Sequence, residues 1–197
     1  MFALATGALG PCLFAQGSLG GRVTLDAEPV PGVVVYLEPF GPLATTPVVN
    51  AVIDQRSLRF RPPLAVVTPG SVVSFLNSDS LLHNVFSPGG PDGPFDLGTY
   101  ITGERRERTF RGTGTHLILC HVHPEMVAYV VIVPTSWYAV ADSAGQYDVS
   151  SVPPGSYRLS VAHRRRHVAV GTVTIGRGGR VQRDLSLSRS RSPTTRP

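Results

Sequence analysis

The sequence predicts an all-β chain built of two small sandwiches. Hydrophobic residues make up 42% of the 197 residues, and 21 Gly and 18 Pro separate them into short Val-rich runs. Short runs of β-branched and aromatic residues bounded by turn residues are typical of strands. No segment repeats its apolar residues at the spacing of an amphipathic helix. Because domains commonly hold about 100 to 150 residues, we expect two of them.

The chain begins with a short apolar stretch, residues 1–15, which is shorter than the roughly 18 apolar residues that a transmembrane span requires. We interpret it as a secretory signal peptide cut after Ala15, which places the protein in the periplasm or outside the cell. Cys12 also allows lipidation and membrane anchoring, although Pro11 before it fits a lipidation site poorly. Removal of the leader leaves Cys120 without a disulfide partner in an oxidising compartment.

The first strands follow the leader. Residues 20–25 and 33–37 are apolar or alternating and flank a turn with Pro and Gly at 28–32. They predict a pair of strands within residues 18–38. Residues 39–50 are rich in Pro, Gly and Thr, and we interpret them as a linker.

A second pattern occupies residues 51–134. Strand-sized runs at 64–68 and 71–76 are joined by a Pro-Gly turn. A run that ends at Cys120 precedes an almost wholly apolar run at 127–133, which is typical of a core strand.

The pattern changes again over residues 136–187. About five further strands are predicted there, at residues 137–142, 145–149, 152–161, 168–175 and 181–187. The last segment, 188–197, is polar, basic and contains Pro, and it predicts a disordered tail.

The chain carries a formal net charge of +5, and all 18 of its basic residues are Arg. These residues form separate clusters without interleaved aromatic residues, which argues against nucleic-acid binding. We interpret the clusters as solvated faces and a tail, with electrostatic steering toward an acidic partner as the functional alternative. His163 and His167 bracket one cluster, and we expect them on an exposed hairpin rather than in a second metal site.

One loop concentrates metal-binding chemistry. Beyond the first dozen residues the chain has one cysteine and one methionine, and both lie in the segment CHVHPEM at residues 120–126. A blue-copper centre has two His and one Cys in a plane and a Met at a longer axial distance, and the spacing C-x2-H-x2-M supplies three of these ligands. Structural zinc sites do not usually include a thioether. We therefore expect one copper ion held by His83, Cys120, His123 and Met126.

Alternatives exist for the residues around this loop. One alternative is that Cys120 is only a small hydrophobic residue buried in the core. Another is that Glu125 provides an oxygen ligand to the metal. In other copper proteins a His next to the Cys ligand carries electrons to a second copper. For His121, which is next to Cys120, we expect a surface or packing role instead. Asn84 is expected to bond the backbone of the ligand loop, with an ordinary turn residue as the alternative.

Residues 51–133 resemble the cupredoxins, and among them the amicyanin-like, short-loop blue copper proteins of the methylamine-utilisation type. The resemblance rests on the strand TPGSVVSF at 68–75, on the tripeptide that begins at His83 and on the C-x2-H-P-x-M loop. It implies a Greek-key β-sandwich with one type 1 copper, in which His123 is partly exposed and Cys120 is buried. The implied partner is a c-type cytochrome or a periplasmic dehydrogenase.

The flanking segments resemble the carboxypeptidase regulatory-like sandwich, a transthyretin-like module. Its three usual motifs fall at residues 21–37, 141–147 and 152–159, on opposite sides of the copper segment. We therefore expect the copper domain to be inserted into a loop of this sandwich, which surface loops tolerate. The alternative is that residues 18–38 add strands to the copper domain.

The sequence presents no nucleophile, carboxylate pair or phosphate loop, and four protein ligands leave a substrate no open place on the metal. We therefore expect a periplasmic or secreted electron carrier rather than an enzyme. The alternative is a non-catalytic module whose regulatory-like sandwich contacts glycan, cell wall or a protein while the copper site is structural or vestigial.

Overall fold

The structure is a computed structural model and describes residues 15–41 and 46–188. Every regular element there is a strand, so the predicted all-β class is confirmed. The predicted leader up to residue 14 and the predicted tail from residue 189 lie outside the described residues. No helix that could cross a membrane occurs in the part of the chain that the structure describes.

Eighteen strands are numbered in chain order. The first nine are β1 (Gly17–Leu25), β2 (Glu28–Pro29), β3 (Val34–Pro39), β4 (Ala51–Gln55), β5 (Phe60–Arg61), β6 (Leu64–Val67), β7 (Ser71–Asn77), β8 (His83–Ser87) and β9 (Phe95–Tyr100). The others are β10 (Arg105–Phe110), β11 (Gly114–Leu119), β12 (Val127–Ile132), β13 (Tyr138–Val140), β14 (Gln146–Val152), β15 (Gly155–His163), β16 (Arg166–Ile175), β17 (Arg180–Gln182) and β18 (Leu185–Leu187).

Strands β4 to β12 form one sandwich. Its first sheet has the order β10-β7-β4-β5, and its second has the order β6-β12-β11-β8-β9. β4 runs parallel to β7 and β6 runs parallel to β12, so the chain crosses between the sheets rather than forming only hairpins. The inner faces share one apolar core that includes Phe75, Phe110, Ile118 and Val130.

Strands β1 to β3 and β13 to β18 form a second sandwich. One sheet contains β14, β1 and β17, and the other has the order β13-β3-β15-β16. Leu37 of β3 is paired with Leu159 of β15, and Val35 is paired with Ala139 of β13. The strands before the linker therefore pair with strands after Trp137, and among the described strands none of β1, β2 and β3 extends a sheet of the first sandwich.

β12 is buried along one face and, toward its end, on the other face as well. Its residues Ala128, Val130 and Ile132 belong to the core of the first sandwich. The intervening Val131 packs with Val34 of β3 in a third, smaller apolar cluster. Both faces of β12 therefore make apolar contacts near Val131, which explains why the strand is almost wholly apolar, although Val127 at its start is 40% exposed. The two sandwiches are thus joined by a small apolar interface.

Polar contacts surround this interface. Nε2 of His167 lies 2.8 Å from the hydroxyl of Thr115, and its Nδ1 lies 3.3 Å from the hydroxyl of Tyr36. The hydroxyl of Tyr138 donates to the carbonyl of Val66 at 3.4 Å. The turn of the β15–β16 hairpin is exposed at residues 164–166, as expected, whereas His167 itself is half-buried because β16 lies against β11 of the first sandwich.

Candidate metal centre

Neighbouring strands position the predicted ligands. Cys120 directly follows β11, and His83 is the first residue of β8, the next strand in the same sheet. The ligand loop continues from Cys120 to Met126, whose backbone N–H donates to the carbonyl of His123 at 3.0 Å. This bond closes the loop in a tight turn. Residues 37 positions apart in the chain therefore meet at one end of the sandwich.

The structure brings together three of the four predicted ligands. Nδ1 of His83 lies 3.1 Å from Nδ1 of His123 and 4.0 Å from Sγ of Cys120. The three ligand atoms all lie within 4.8 Å of one another. Within residues 15–41 and 46–188, no other group of three His, Cys, Asp or Glu side chains is placed to hold a metal ion.

These separations fit one metal ion. Bonds from zinc measure about 2.0–2.1 Å to imidazole nitrogen and about 2.3 Å to thiolate sulfur. On such an ion two nitrogens lie at most about 4 Å apart, and a nitrogen and a sulfur at most about 4.3 Å. The observed nitrogen–nitrogen distance of 3.1 Å and nitrogen–sulfur distance of 4.0 Å lie below these limits. A thiolate with two imidazoles is a donor set for copper or zinc.

Met126 bears on the choice between these metals. Its side chain is 1% exposed and belongs to the same core cluster as Cys120. A buried thioether in the core that holds the thiolate favours copper, because structural zinc sites use Cys, His and carboxylate ligands. The axial role of Met126 stays a prediction based on its place in the loop and on its burial.

The ligands differ in their exposure to solvent. His83 is 0% and Cys120 is 2% exposed, whereas His123 is half-buried. The expected order of exposure is therefore confirmed. Exposed apolar residues flank these ligands along the chain, and we call them the apolar rim: Leu81, Leu82, Val122 and Pro124.

Asp79 contacts a ligand and was not predicted. Its Oδ2 lies 2.9 Å from Nε2 of His83. Because an ionised carboxylate can only accept, the ring proton sits on Nε2, and the lone pair of Nδ1 is free to bind a metal. Desolvation alone would raise the pKa of Asp79, but hydrogen bonds from Leu58, His83 and Ser57 outweigh it and hold this pKa below its usual value. The signal in the sequence is a carboxylate four residues before a predicted ligand.

Asp79 also stabilises the turn between β4 and β5. It accepts the backbone N–H groups of Ser57 at 2.6 Å and Leu58 at 2.9 Å. Both residues have positive φ, 54° and 56°, in a two-residue hairpin loop that usually contains Asn-Gly. The N–H of Arg56 donates to the carbonyl of Arg59 at 2.9 Å and closes the loop. The carboxylate thus offsets the strain of two unfavourable backbone conformations.

Asn84 connects the ligand loop to the sheet. Its backbone N–H donates to Sγ of Cys120 at 3.4 Å, and its side-chain oxygen accepts the N–H of His121 at 3.3 Å. Its Nδ2 donates to Asp96 at 2.6 Å. The predicted bond to the backbone of the ligand loop is confirmed. Hydrogen bonds to the cysteine sulfur are among the factors that set the reduction potential of a blue-copper site.

His121 and Glu125 do not belong to the group of ligand atoms. The ring of His121 is stacked on Phe86 with centroids 3.6 Å apart, and its Nε2 lies 3.5 Å from Asp96. Its side chain is 59% exposed, in agreement with the predicted surface role. Glu125 is exposed and does not belong to the cluster of possible ligands.

Comparisons with known proteins give structural neighbours only. No protein family and no curated protein sequence matches the chain. The purple cupredoxin from Nitrosopumilus maritimus is similar at 24% identity over 42% of this chain and 99% of that chain, with a TM-score of 0.39. Amicyanin from Paracoccus versutus is similar at 20% identity over 50% of this chain and 97% of that chain, with a TM-score of 0.40. These alignments span about half of this chain, and the assignment of metal ligands rests on the side chains described above.

Proposed function

We propose that the chain is a type 1 copper protein that carries single electrons between redox partners in the periplasm or outside the cell. The observation that carries the proposal is the convergence of His83, Cys120 and His123, whose ligand atoms lie within 4.8 Å of one another. Copper bound there supplies one-electron chemistry by alternating between Cu(I) and Cu(II).

Each residue has a distinct part in this proposal. His83, His123 and Cys120 would hold the copper as its strong donors, and Met126 would supply the fourth, weaker donor. Strand β8 and the end of β11 hold the two buried ligands, so little has to move when the charge of the site changes by one. Asp79 orients the ring of His83 through a 2.9 Å hydrogen bond. With four protein ligands the site has no open position for a substrate, which favours a carrier over an enzyme.

The proposed domain boundaries follow the strand pairing. Residues 51–134 form the copper domain, and it is inserted between residues 18–38 and 136–187 of a regulatory-like sandwich, with 39–50 as the linker. The pairing of β3 with β13 and β15 supports this division. The proposed partner is a c-type cytochrome or a periplasmic dehydrogenase.

The second sandwich supports a second candidate function, the binding of a polar ligand such as a glycan. It carries an open cleft of about 780 Å³ lined by Tyr138, two arginines and several carboxylates. If binding were the main role, Cys120→Ser protein would retain a glucan or cell-wall fragment as well as the parent does. Loss of retention in Arg22→Ala protein, with Arg165→Ala as the control, would assign the contact to this cleft.

The leading proposal is tested by adding one equivalent of Cu(II) to purified protein. We expect an intense blue colour from thiolate-to-copper charge transfer, bleached by ascorbate. Cys120→Ser should abolish the band, and the matched variant His121→Ala should keep it because that ring faces Phe86. A band that survives in Cys120→Ser protein, or disappears in His121→Ala protein, would contradict the ligand assignment.

A further inference from the structure

Three arginines without partners lie on the hairpin of β4 and β5. Arg56, Arg59 and Arg61 are exposed, and we call residues 56–61 the arginine hairpin. Among the described residues, none of these three guanidinium groups makes an ion pair or a hydrogen bond. The three guanidinium groups are therefore exposed and form no ion pair with a carboxylate of the described chain.

Several other arginines of the chain are engaged, whereas residues 164–166 of the second sandwich are exposed without an ion pair to any residue that the structure describes. Arg106 pairs with Glu104 at 3.0 Å, and Arg180 pairs with Asp148 at 2.8 Å. The guanidinium of Arg108 lies 5.0 Å from the centre of an aromatic ring. Such contacts spread or offset the charge. The arginine hairpin thus differs from the arginines of β10 and from Arg180 of β17.

The arginine hairpin also lies close to the candidate metal centre. Arg59 and Arg61 line a groove of about 390 Å³ together with Met126, the predicted axial ligand. The turn of the hairpin is bonded to Asp79, whose carboxylate contacts His83. The hairpin is therefore connected to two of the four predicted ligands, one through the groove and one through a hydrogen-bonded carboxylate.

We propose that the arginine hairpin is the docking surface for an acidic face of a protein redox partner, an inference that rests on the proposed copper function. Complementary charge raises encounter rates by roughly 10- to 1000-fold. Docked there, the partner's carboxylates would lie beside the groups that hold the metal. Three carboxylates lie nearby: Glu125 lines the groove, Asp54 is opposite Arg61 in the β4–β5 ladder, and Asp79 is bonded to the turn. Of these only Glu125 is exposed, whereas all three arginines are exposed, so the exposed surface stays positive. One electron passes between partner and site, and no bond or proton moves with it.

Binding at the hairpin is measured first, without any redox step. Hexacyanocobaltate(III), a trianion that does not exchange electrons under these conditions, is added to the reduced protein, and backbone amide shifts are followed by NMR. We expect saturable shifts centred on residues 56–61 that weaken as salt is added. Shifts centred on residues 164–166, or spread over all arginines, would overturn the proposal. Equal competition by sulfate would indicate a small-anion site instead and would overturn it as well.

Electron exchange is measured second, with two small oxidants of opposite charge. Hexacyanoferrate(III) and tris(phenanthroline)cobalt(III) each take one electron from the reduced protein. In the double variant Arg59→Glu/Arg61→Glu, the rate with the anionic oxidant should fall about tenfold while the rate with the cationic oxidant rises. A change in reduction potential would move both rates in the same direction, so opposite shifts report docking. The control double variant Arg164→Glu/Arg165→Glu has the same net charge as Arg59→Glu/Arg61→Glu. In the control, the rate with either oxidant should change by less than about twofold.

The two proposals fail in different ways. Absence of a blue band in the parent protein overturns the copper function and the docking proposal with it. A normal blue band, with rates that change equally in the two double variants, overturns the docking proposal alone.

Discussion

Nε2 of His83 lies 2.9 Å from the carboxylate of Asp79, while Nδ1 of the same ring lies 4.0 Å from Sγ of Cys120. One ring nitrogen is thus held by a carboxylate, and the other is directed at the thiol. The same carboxylate receives the amides of Ser57 and Leu58. The β4–β5 turn and the proposed ligand are therefore positioned by a single side chain.

Asp79→Ala should weaken copper binding without removing a ligand. Loss of a carboxylate behind a metal-binding His typically costs about 10- to 100-fold in affinity, and competition with a Cu(I) chelator measures it. Glu125→Ala, which removes an exposed carboxylate from the ligand loop, should change the affinity by less than about twofold. Equal affinities in parent and Asp79→Ala protein would show that His83 is held by its strand alone.

Leu58→Gly should stabilise the protein slightly. Leu58 has a φ of 56°, a conformation that costs roughly 1–2 kcal/mol for a residue with a side chain. Glycine relieves this strain but loses more entropy on folding, so we expect a net gain of about 0.5 kcal/mol. The midpoint of urea unfolding measures the gain. Leu82→Gly, at a similarly exposed loop position without positive φ, should not stabilise; a loss in both variants would contradict the strain argument.

The ligands in one loop were predictable from local spacing, but their surroundings were not. Cys120, His123 and Met126 lie within seven residues, so the choice of metal followed from residue type alone. Asp79 acts through a turn 21 and 22 residues away, and no local pattern indicates that pairing. Similarly, the apolar run at 127–133 predicted a buried strand without identifying what covers its second face.

Val131→Ala should destabilise both sandwiches together. Val131 is 1% exposed and packs with residues of β3 in the interface cluster, and loss of its two methyl groups should cost about 2 kcal/mol. The copper band reports the first sandwich, and Trp137, the single tryptophan, reports the second. Both signals should disappear at the same, lowered urea concentration.

The control for the interface is Val127→Ala on the same strand, where the side chain is 40% exposed. It should cost less than about 0.5 kcal/mol. If Val131→Ala shifts the copper signal and leaves the Trp137 signal in place, the sandwiches are not coupled through this cluster.

Mild acid should destabilise the fold through buried histidines. Burial lowers the pKa of His116 below its ordinary 6.5, Asp92 opposes this shift, and Arg108 adds to it. Burial also lowers the pKa of His167, against an opposing effect of Glu38. The unfolded chain therefore binds more protons than the folded one, so this stability is present above pH about 6.5 and is lost as the pH falls through the lowered folded pKa values.

The urea midpoint measured between pH about 7.5 and about 5 checks this dependence. His116→Gln cannot titrate and should show a shallower fall than the parent, whatever its stability at neutral pH. His121→Gln, in which an exposed ring is replaced, should follow the parent. A midpoint that rises as the pH is lowered would contradict the assignment.

Leu82→Asp should slow electron self-exchange between reduced and oxidised copies of the protein. Leu82 is 51% exposed in the apolar rim, one residue before His83. If two copies meet through their rims, the added carboxylates face each other, and we expect the rate from NMR line broadening to fall about tenfold. The substitution lowers the net charge from +5 to +4, which by itself would speed the encounter of like-charged molecules, so a slower rate reports a local contact. Val140→Asp makes the same change of charge at a residue that is 42% exposed on the second sandwich; an equal slowing there would exclude the rim as the contact surface.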